Sequence, residues 1–282
     1  MPVLDNRFAS NKNITYKTKN QVEFIQFNNL LKYENIITHC FTTRRGGVSK
    51  GWYDSLNMAF NKTDDRRNVE ENYRRVADAL NLDIESMVFS NQVHQNRIRV
   101  VTEEDRGKGI TRESDIIGYD GLVTNSKEVT LVTFYADCVP VFLFDPEKTV
   151  ISIAHSGWRG TVMKIAKEAV EKMKDVFSSK PENIVAAIGP SIGKCCFEVG
   201  DDVYDEFRAK IDWSTEYCHR TGQKWHFDLP AIIKRTLLEE GVEEENIVLS
   251  GICTKCNKDI FFSHRGDNGR TGTMVGIMKI NG

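Results

Sequence analysis

The stretch A-D-C-V-P-V-F-L-F-D-P-E-K-T-V-I-S-I-A-H-S-G-W-R-G, residues 136–160, constrains the fold of this chain more than any other segment. Two short apolar runs, residues 139–144 and 149–154, flank the turn signal Asp145-Pro146-Glu147-Lys148, and together they read as a β-hairpin. Cys138 stands at the start of one strand and His155 at the end of the other. With the turn centred between Pro146 and Glu147, these two side chains face each other across the ladder, with Cα atoms about 4.5–5.5 Å apart. Pro140 can force a bulge and break that register. A thiol and an imidazole at one hairpin mouth suggest either a metal site or an activated nucleophile.

The 282 residues suffice for one large domain or two ordinary ones. A formal net charge of −2 gives no global attraction to nucleic acid or to an anionic membrane surface. The pairs Arg66-Arg67 and Arg74-Arg75 read as solvated surface. The first ten residues lack a basic segment followed by an apolar core, so no secretory signal is expected. No apolar run approaches the ~18 residues of a membrane-spanning helix. The seven cysteines are an odd number without disulfide-framework spacing, which suits reduced thiols in the cytoplasm.

Along the chain, strand-like pieces are expected at Val22–Phe27 and 36–41, then a Gly-rich loop over 41–57. Asp64 or Asp65 can cap a helix whose apolar face is Val69, Tyr73, Val76, Ala77 and Leu80, ended by Asn81-Leu82-Asp83. Strands are expected at 87–94, 97–102, 120–124 and 129–135, followed by the hairpin. A helix after Gly160 keeps the 3.6-residue period from Val162 to Phe177. Further on, the pattern predicts a strand at 183–188, helices at 201–207 and after Asp228, and strands at 246–253, 260–263 and 273–280. No repeat, low-complexity stretch or linker divides the chain. One mixed α/β domain over residues 1–282 is therefore expected.

Cys138 and His155 need a third partner, and His94 in S-N-Q-V-H-Q-N-R is the best candidate, because it too is expected to end a strand among polar residues. Two imidazoles and one thiolate make a three-ligand zinc set with an open fourth position. Zinc there would lower the pKa of a bound water toward neutrality. The spacing matches no local zinc signature and leaves open the alternative of a buried Cys and two ordinary His. Asp137 should point to the opposite strand face and be structural. Cys253 and Cys256 form a lone C-x-x-C, best read as ordinary packing. The adjacent Cys195 and Cys196 could not easily both reach one site, so at least one is expected in the core. Arg44, Arg159 and Arg265 sit in Gly-rich or polar loops, T-R-R-G-G, G-W-R-G-T and S-H-R-G-D, which suit phosphate or carboxylate. Neither a P-loop nor a dinucleotide fingerprint is present.

Several segments together resemble the YfiH family: F-T-T-R-R-G-G-V-S with Y-D-S-L-N, N-Q-V-H-Q, D-G-L-V-T, A-D-C-V-P-V-F-L-F-D, I-A-H-S-G-W-R-G-T, I-G-P-S-I-G-K-C-C-F-E-V-G and F-F-S-H-R-G-D-N-G-R-T-G. The likeness runs in order from about residue 40 to the C-terminus. It implies an α+β fold, a single-domain α/β sandwich with mixed sheets and no Rossmann crevice. It implies a zinc (or copper) site at His94, Cys138 and His155. It also implies phosphorolysis of adenosine, inosine and guanosine, with methylthioadenosine cleavage and adenosine deamination as side activities, by a monomer or homodimer. Within the matched motifs, Asn57 joins Arg44, Arg159 and Arg265 as a candidate substrate or phosphate contact. Two departures from the family pattern stand out: Gly266 replaces the second arginine of the C-terminal motif, displacing the later one to Arg270, and Lys194 stands where proline is usual.

Family members are also labelled laccase-domain proteins or multicopper polyphenol oxidases. A trinuclear copper site needs many histidines, and this chain has six, at 39, 94, 155, 219, 226 and 264, with no His-x-His. A single copper remains compatible with a nitrogen and sulfur donor set. A cysteine hydrolase or amidase using Cys138 as nucleophile and His155 as base is a further alternative. No general acid/base for deamination stands out.

Overall fold

The computed structural model describes residues 6–282; the first five residues, on which the expectation about a leader partly rests, lie outside them. Two six-stranded sheets dominate. One runs in the order Ile14–Lys19, Val22–Phe27, Ile37–Thr42, Met274–Ile280, Thr130–Tyr135, Met87–Phe89, antiparallel except for its last pair. The other runs in the order Ile247–Leu249, Val185–Ile188, Val139–Asp145, Val150–Ser156, Gly121–Thr124, Ile98–Val100, antiparallel inside and parallel at both edges. A small three-stranded sheet joins Glu198–Val199, Lys224–Phe227 and Cys218–Thr221. This is the mixed-sheet sandwich the family resemblance implied.

The near-continuous apolar runs of the hairpin have a simple cause: both faces of its sheet are covered. Phe142, Phe144, Ile151 and Ile153 point into the layer between the sheets and meet Phe27, Phe41, Leu131, Tyr135 and Met278 from the other sheet. Their neighbours Val141, Leu143, Val150 and Ala154 point outward, against Ile165, Ala169 and Met173 of one helix and Ile233 and Leu237 of another. The outer face of the first sheet, through Phe24, Cys40, Val132 and Ile277, is covered by Val69, Tyr73 and Val76. Phe142 and Phe144 have no exposed surface, and each such burial is worth about 1.5–3 kcal/mol.

The helix Arg66–Leu80 begins as expected, with the Asp65 carboxylate accepting from the Arg67 N–H, and ends at Asn81 in the left-handed region. The helix expected after Gly160 is instead two pieces, Trp158–Val162 and Ile165–Phe177. Lys164 between them has φ of 56°, and the Met163 carbonyl accepts from the Asn96 side chain. The apolar period survives because both pieces bury the same side. The strand expected at 260–263 is absent, although Ile260, Phe261 and Phe262 are fully buried there in a turn. The strand expected at 87–94 stops at Phe89.

The hairpin register also differs from expectation. Pro140, not Cys138, lies opposite His155, and Asp145 pairs with Val150. The Asp145 carboxylate accepts from the N–H groups of Glu147 and Lys148, which makes Asp145 the last strand residue and lengthens the loop. The ladder runs through Pro140 without a bulge. His155 donates its own N–H to Asp120 O on the far side, so the Pro140–His155 pair exchanges no backbone bonds and a missing N–H costs the hairpin nothing. A shift of two residues keeps every side chain on its face. Cys138 and His155 therefore still share the inter-sheet face, as diagonal rather than direct neighbours.

Candidate metal centre and cleft

His94, Cys138 and His155 come together at one end of the inter-sheet layer, and their ligand atoms all lie within 4.8 Å of one another. The two imidazole rings meet edge-on at 4.9 Å between centroids. His155 is buried, Cys138 half-buried and His94 exposed. Gly157 makes the approach possible: a Cβ there would stand 2.9 Å from His94 Cδ2 and 3.1 Å from Cys138 Sγ. His94 does not end a strand, as expected, but sits in a turn with φ of 62°.

That turn is wrapped around Asp120. Its carboxylate accepts the N–H groups of Val93, His94 and Gln95 at 3.0, 2.8 and 2.9 Å. The same carboxylate bonds His155 Nδ1 at 2.9 Å. One fully buried Asp thus holds the His94 backbone and fixes the His155 ring, leaving His155 Nε2 for a ligand. Sequence reasoning missed this residue. It is the Asp of the D-G-L-V-T motif, where an acidic residue beside glycine reads as a turn rather than as a buried anchor.

The electrostatics follow from this packing. Burial by itself would raise the Cys138 thiol, but the two imidazoles outweigh it and bring it down to about 6. Burial would lower His155, yet the Cys138 thiolate and Asp120 carry it up to about 9. Burial opposes ionisation of Asp120 too; His155 and the N–H groups of Gln95 and Val93 prevail and hold it below the usual carboxylate range. At neutral pH, with no metal bound, Cys138 is therefore a thiolate paired with a protonated His155, whose proton a metal ion would displace. This donor set, its convergence and its fixed tautomer suit a metal ion with a position left for substrate.

The trio opens into a cleft of about 390 Å³, within the range of small-molecule sites. Phe60, Phe89, Phe134 and Tyr135 line it, with Asn61, Lys62, Asn91 and Gln92 among its polar groups. Phe89 meets Phe134 edge-on at 5.2 Å and Phe60 at 6.4 Å, so the aromatic groups form one wall.

The other candidates lie elsewhere, and none of the four lines this cleft. Arg44 donates to Asp54 O and Lys258 O and covers the Phe262 ring. Asn57 is fully buried and ties Asp64, Ala59 and Thr273 together. Arg159 is exposed and stacks on Trp158, beside a separate surface depression. Arg265 donates its N–H to Asp137 and its guanidinium to Glu198 O. Asp137 is structural, as expected, accepting also from Thr254.

Two expectations are overturned. Cys253 and Cys256 are not a lone pair, and the adjacent Cys195 and Cys196, one exposed and one half-buried against the core, do reach one site: the four sulfurs gather in a second cluster, all within 4.8 Å of one another. The bridge between Ser191 and Cys253 brings the two loops side by side.

Two sheets packed face to face, with a His-Cys-His group at one end of the layer between them, define the class. The profile of the family described as multi-copper polyphenol oxidoreductase laccase matches residues 38–281, and the chain belongs to that family. Among curated proteins, it is 39% identical over 240 residues to purine nucleoside phosphorylase YlmD of Bacillus subtilis, covering 84% of this chain and 86% of that one. It is 36% identical over 243 residues to adenosine deaminase RL5, from an unknown prokaryotic organism, covering 83% and 92%. Among solved structures, YlmD from Geobacillus stearothermophilus superposes with a TM-score of 0.87 at 34% identity, covering 95% of this chain and 99% of that one. Among the described residues, no helix is long and apolar enough to cross a membrane.

Proposed function

We propose that this protein is a zinc-dependent purine nucleoside phosphorylase, cleaving adenosine, inosine or guanosine with phosphate to the free base and ribose 1-phosphate. Adenosine deamination and methylthioadenosine cleavage are its side activities. The observation that carries this reading is a His-Cys-His donor set opening into an aromatic-walled cleft of nucleoside size. The relatives named for the same chemistry support it.

In the reaction, a phosphate oxygen bonds C1′ as the bond from C1′ to the purine nitrogen breaks. The bonding pair leaves with the purine, which takes up a proton. The wall of Phe60, Phe89 and Phe134 stacks the base and excludes water from it. Asn61 and Asn91 offer amide groups to the base edge or the ribose. Lys62, half-buried in the lining, supplies a charge-assisted contact to phosphate, a role for which the loop arginines are less well placed. Zinc held by His94, Cys138 and His155 would supply Lewis-acid polarisation at the cleft floor. Tyr135 is a wall rather than an acid, because its hydroxyl is engaged by Thr133 and Ala154 O. Among the described residues, those lining the cleft include no Asp or Glu; this leaves deamination without the usual carboxylate and favours it as the secondary activity.

A polyphenol oxidase with several coppers is disfavoured by the other histidines. His39 is buried, with its Nε2 accepting from the Phe27 N–H, and burial keeps it neutral, down to about 3. His219 and His226 stack on each other in the small sheet. A second reading has one observation in its favour: Cys138, His155 and Asp120 are linked in the order of a nucleophile, a base and its orienting acid. His94 beside the same sulfur has no role in that scheme and a clear one in metal binding.

The test is incubation of purified protein with inosine, with and without phosphate, repeated for Cys138→Ala. Phosphate-dependent release of hypoxanthine and ribose 1-phosphate, lost in the variant, is the expected result. Conversion of adenosine to inosine as the sole reaction would leave only the deaminase, and unchanged rates in the variant would sink the metal centre.

A further inference from the structure

The four-cysteine cluster stands apart from the cleft, whose lining includes none of its members. Cys195 and Cys196 come from the loop after Val185–Ile188, and Cys253 and Cys256 from the loop after Ile247–Leu249. Those two strands are parallel neighbours, so their loops leave the sheet at the same end. Cys256 Sγ lies 3.6 Å from Cys195 Sγ and 3.5 Å from Cys196 Sγ. These separations are far beyond a disulfide bond of about 2.05 Å. They match the edge of a tetrahedron of sulfurs around one ion with bonds of about 2.3 Å, which is roughly 3.8 Å.

The backbone around Cys253 favours a thiolate there. Cys253 Sγ accepts the Gly193 N–H at 3.3 Å and also the Cys256 N–H, the latter within the C-x-x-C turn itself. Gly193 is required for the approach: a Cβ there would lie 3.1 Å from Cys253 Cβ and 3.4 Å from Cys195 Sγ. Four thiolates so close repel one another unless a cation lies between them.

We infer that Cys195, Cys196, Cys253 and Cys256 form a second metal site, a closed four-thiolate centre for a single tetrahedral ion of the zinc type. Its place in the fold gives it a structural task. Thr254, inside the C-x-x-C, donates its N–H to Ser191 O and its hydroxyl to Asp137. Ile192 donates to Asp137 O, and Asp137 directly precedes Cys138. An ion here staples the two loops that hold the backbone of Cys138 from behind, while offering no open position for substrate.

The test uses full-length protein, stripped by chelation under reducing conditions and titrated with Zn²⁺ and separately with Co²⁺. Wild type is expected to take up two equivalents of Zn²⁺ and Cys138→Ala one. The Co²⁺ form of Cys138→Ala should show the intense sulfur-to-cobalt charge-transfer bands of a four-thiolate tetrahedral site. Adding Cys256→Ser to that background should weaken and shift the bands and lower Co²⁺ affinity; where the double variant fails to fold, Cys196→Ser, which leaves the C-x-x-C turn whole, provides the same readout. Saturation of wild type at one equivalent, with none bound by Cys138→Ala, would overturn the inference. So would cobalt spectra of Cys138→Ala without charge-transfer bands, or a disulfide among these cysteines that persists after reduction and addition of zinc. None of these readouts requires turnover, so the outcome is independent of the proposed phosphorylase activity.

Discussion

The two ligand clusters of this molecule are built on opposite plans. The His94–Cys138–His155 group mixes nitrogen and sulfur, has three members and looks into a cleft. The cysteine group has four sulfurs, two of its members exposed, and lies where two loops leave one end of a sheet. Three donors leave a position for chemistry, and four close it. The first group is also held by an anchor of its own, Asp120, which bonds both the His155 ring and the turn carrying His94. In the second, Cys253 accepts the N–H groups of Gly193 and Cys256. A catalytic centre, as proposed for the first, must be oriented, whereas a staple, as inferred for the second, needs only to close.

This contrast can be broken at several points. Removing a ligand of the open site has the largest expected effect: Cys138→Ala should lower phosphorolysis by at least about 100-fold, measured as kcat/KM, beyond what loss of a supporting carboxylate produces. Asp120→Asn comes next, with about 10–100-fold weaker zinc affinity from a competitive chelator titration. An unchanged affinity would mean that the His155 tautomer is set elsewhere. Lys62→Ala should raise the KM for phosphate about 10-fold, the equivalent of one charge-assisted bond of about 1.4 kcal/mol, with the KM for nucleoside little changed. Arg159→Ala, at an exposed stacked residue, should move neither KM by more than about twofold; a large rise in the phosphate KM would restore the loop arginine to the site.

The pH dependence sharpens the same comparison. In stripped protein, the Cys138 thiol is lowered from 9.0 to about 6 and His155 raised from 6.5 to about 9. The lowered thiol stabilises the fold at high pH and loses that contribution as pH falls through about 6. The raised imidazole stabilises it at low pH and loses that contribution as pH rises through about 9. Their ion pair is thus intact between these limits. A far-ultraviolet thiolate band that disappears near pH 6, and that is absent in Cys138→Ala, is the expected titration. Zinc binding should weaken below the same pH, because protons compete for the thiolate.

The sequence revealed some of this architecture and concealed the rest for definable reasons. The hairpin, the capped helix starting after Asp65 and the closing strand Met274–Ile280 follow local periodicity and turn chemistry. The shared face of Cys138 and His155 survived a two-residue register difference only because side chains alternate with a period of two. His94 was nominated as a strand-ending histidine among polar residues and strengthened by the family motifs, but it sits in a turn whose position depends on a carboxylate far along the chain. Asp120 was hidden because a buried, saturated carboxylate and a turn Asp look alike in one dimension. The cysteine quartet was hidden because its two pairs meet only through the parallel pairing of two strands. The loop arginines have partners that motifs do not reveal: Arg44 donates to the carbonyl of Lys258 in a turn, and Arg265 to that of Glu198 in a short strand.

Assignment of the reaction to the open cluster rather than the closed one is tested most directly by restoring stripped protein with zinc in steps, following phosphate-dependent hypoxanthine release from inosine alongside occupancy of the His-Cys-His site. Activity that rises in proportion to that occupancy, and that never returns in Cys138→Ala, is the predicted result. Full turnover by the stripped protein, or full turnover by Cys138→Ala after zinc is restored, would contradict it.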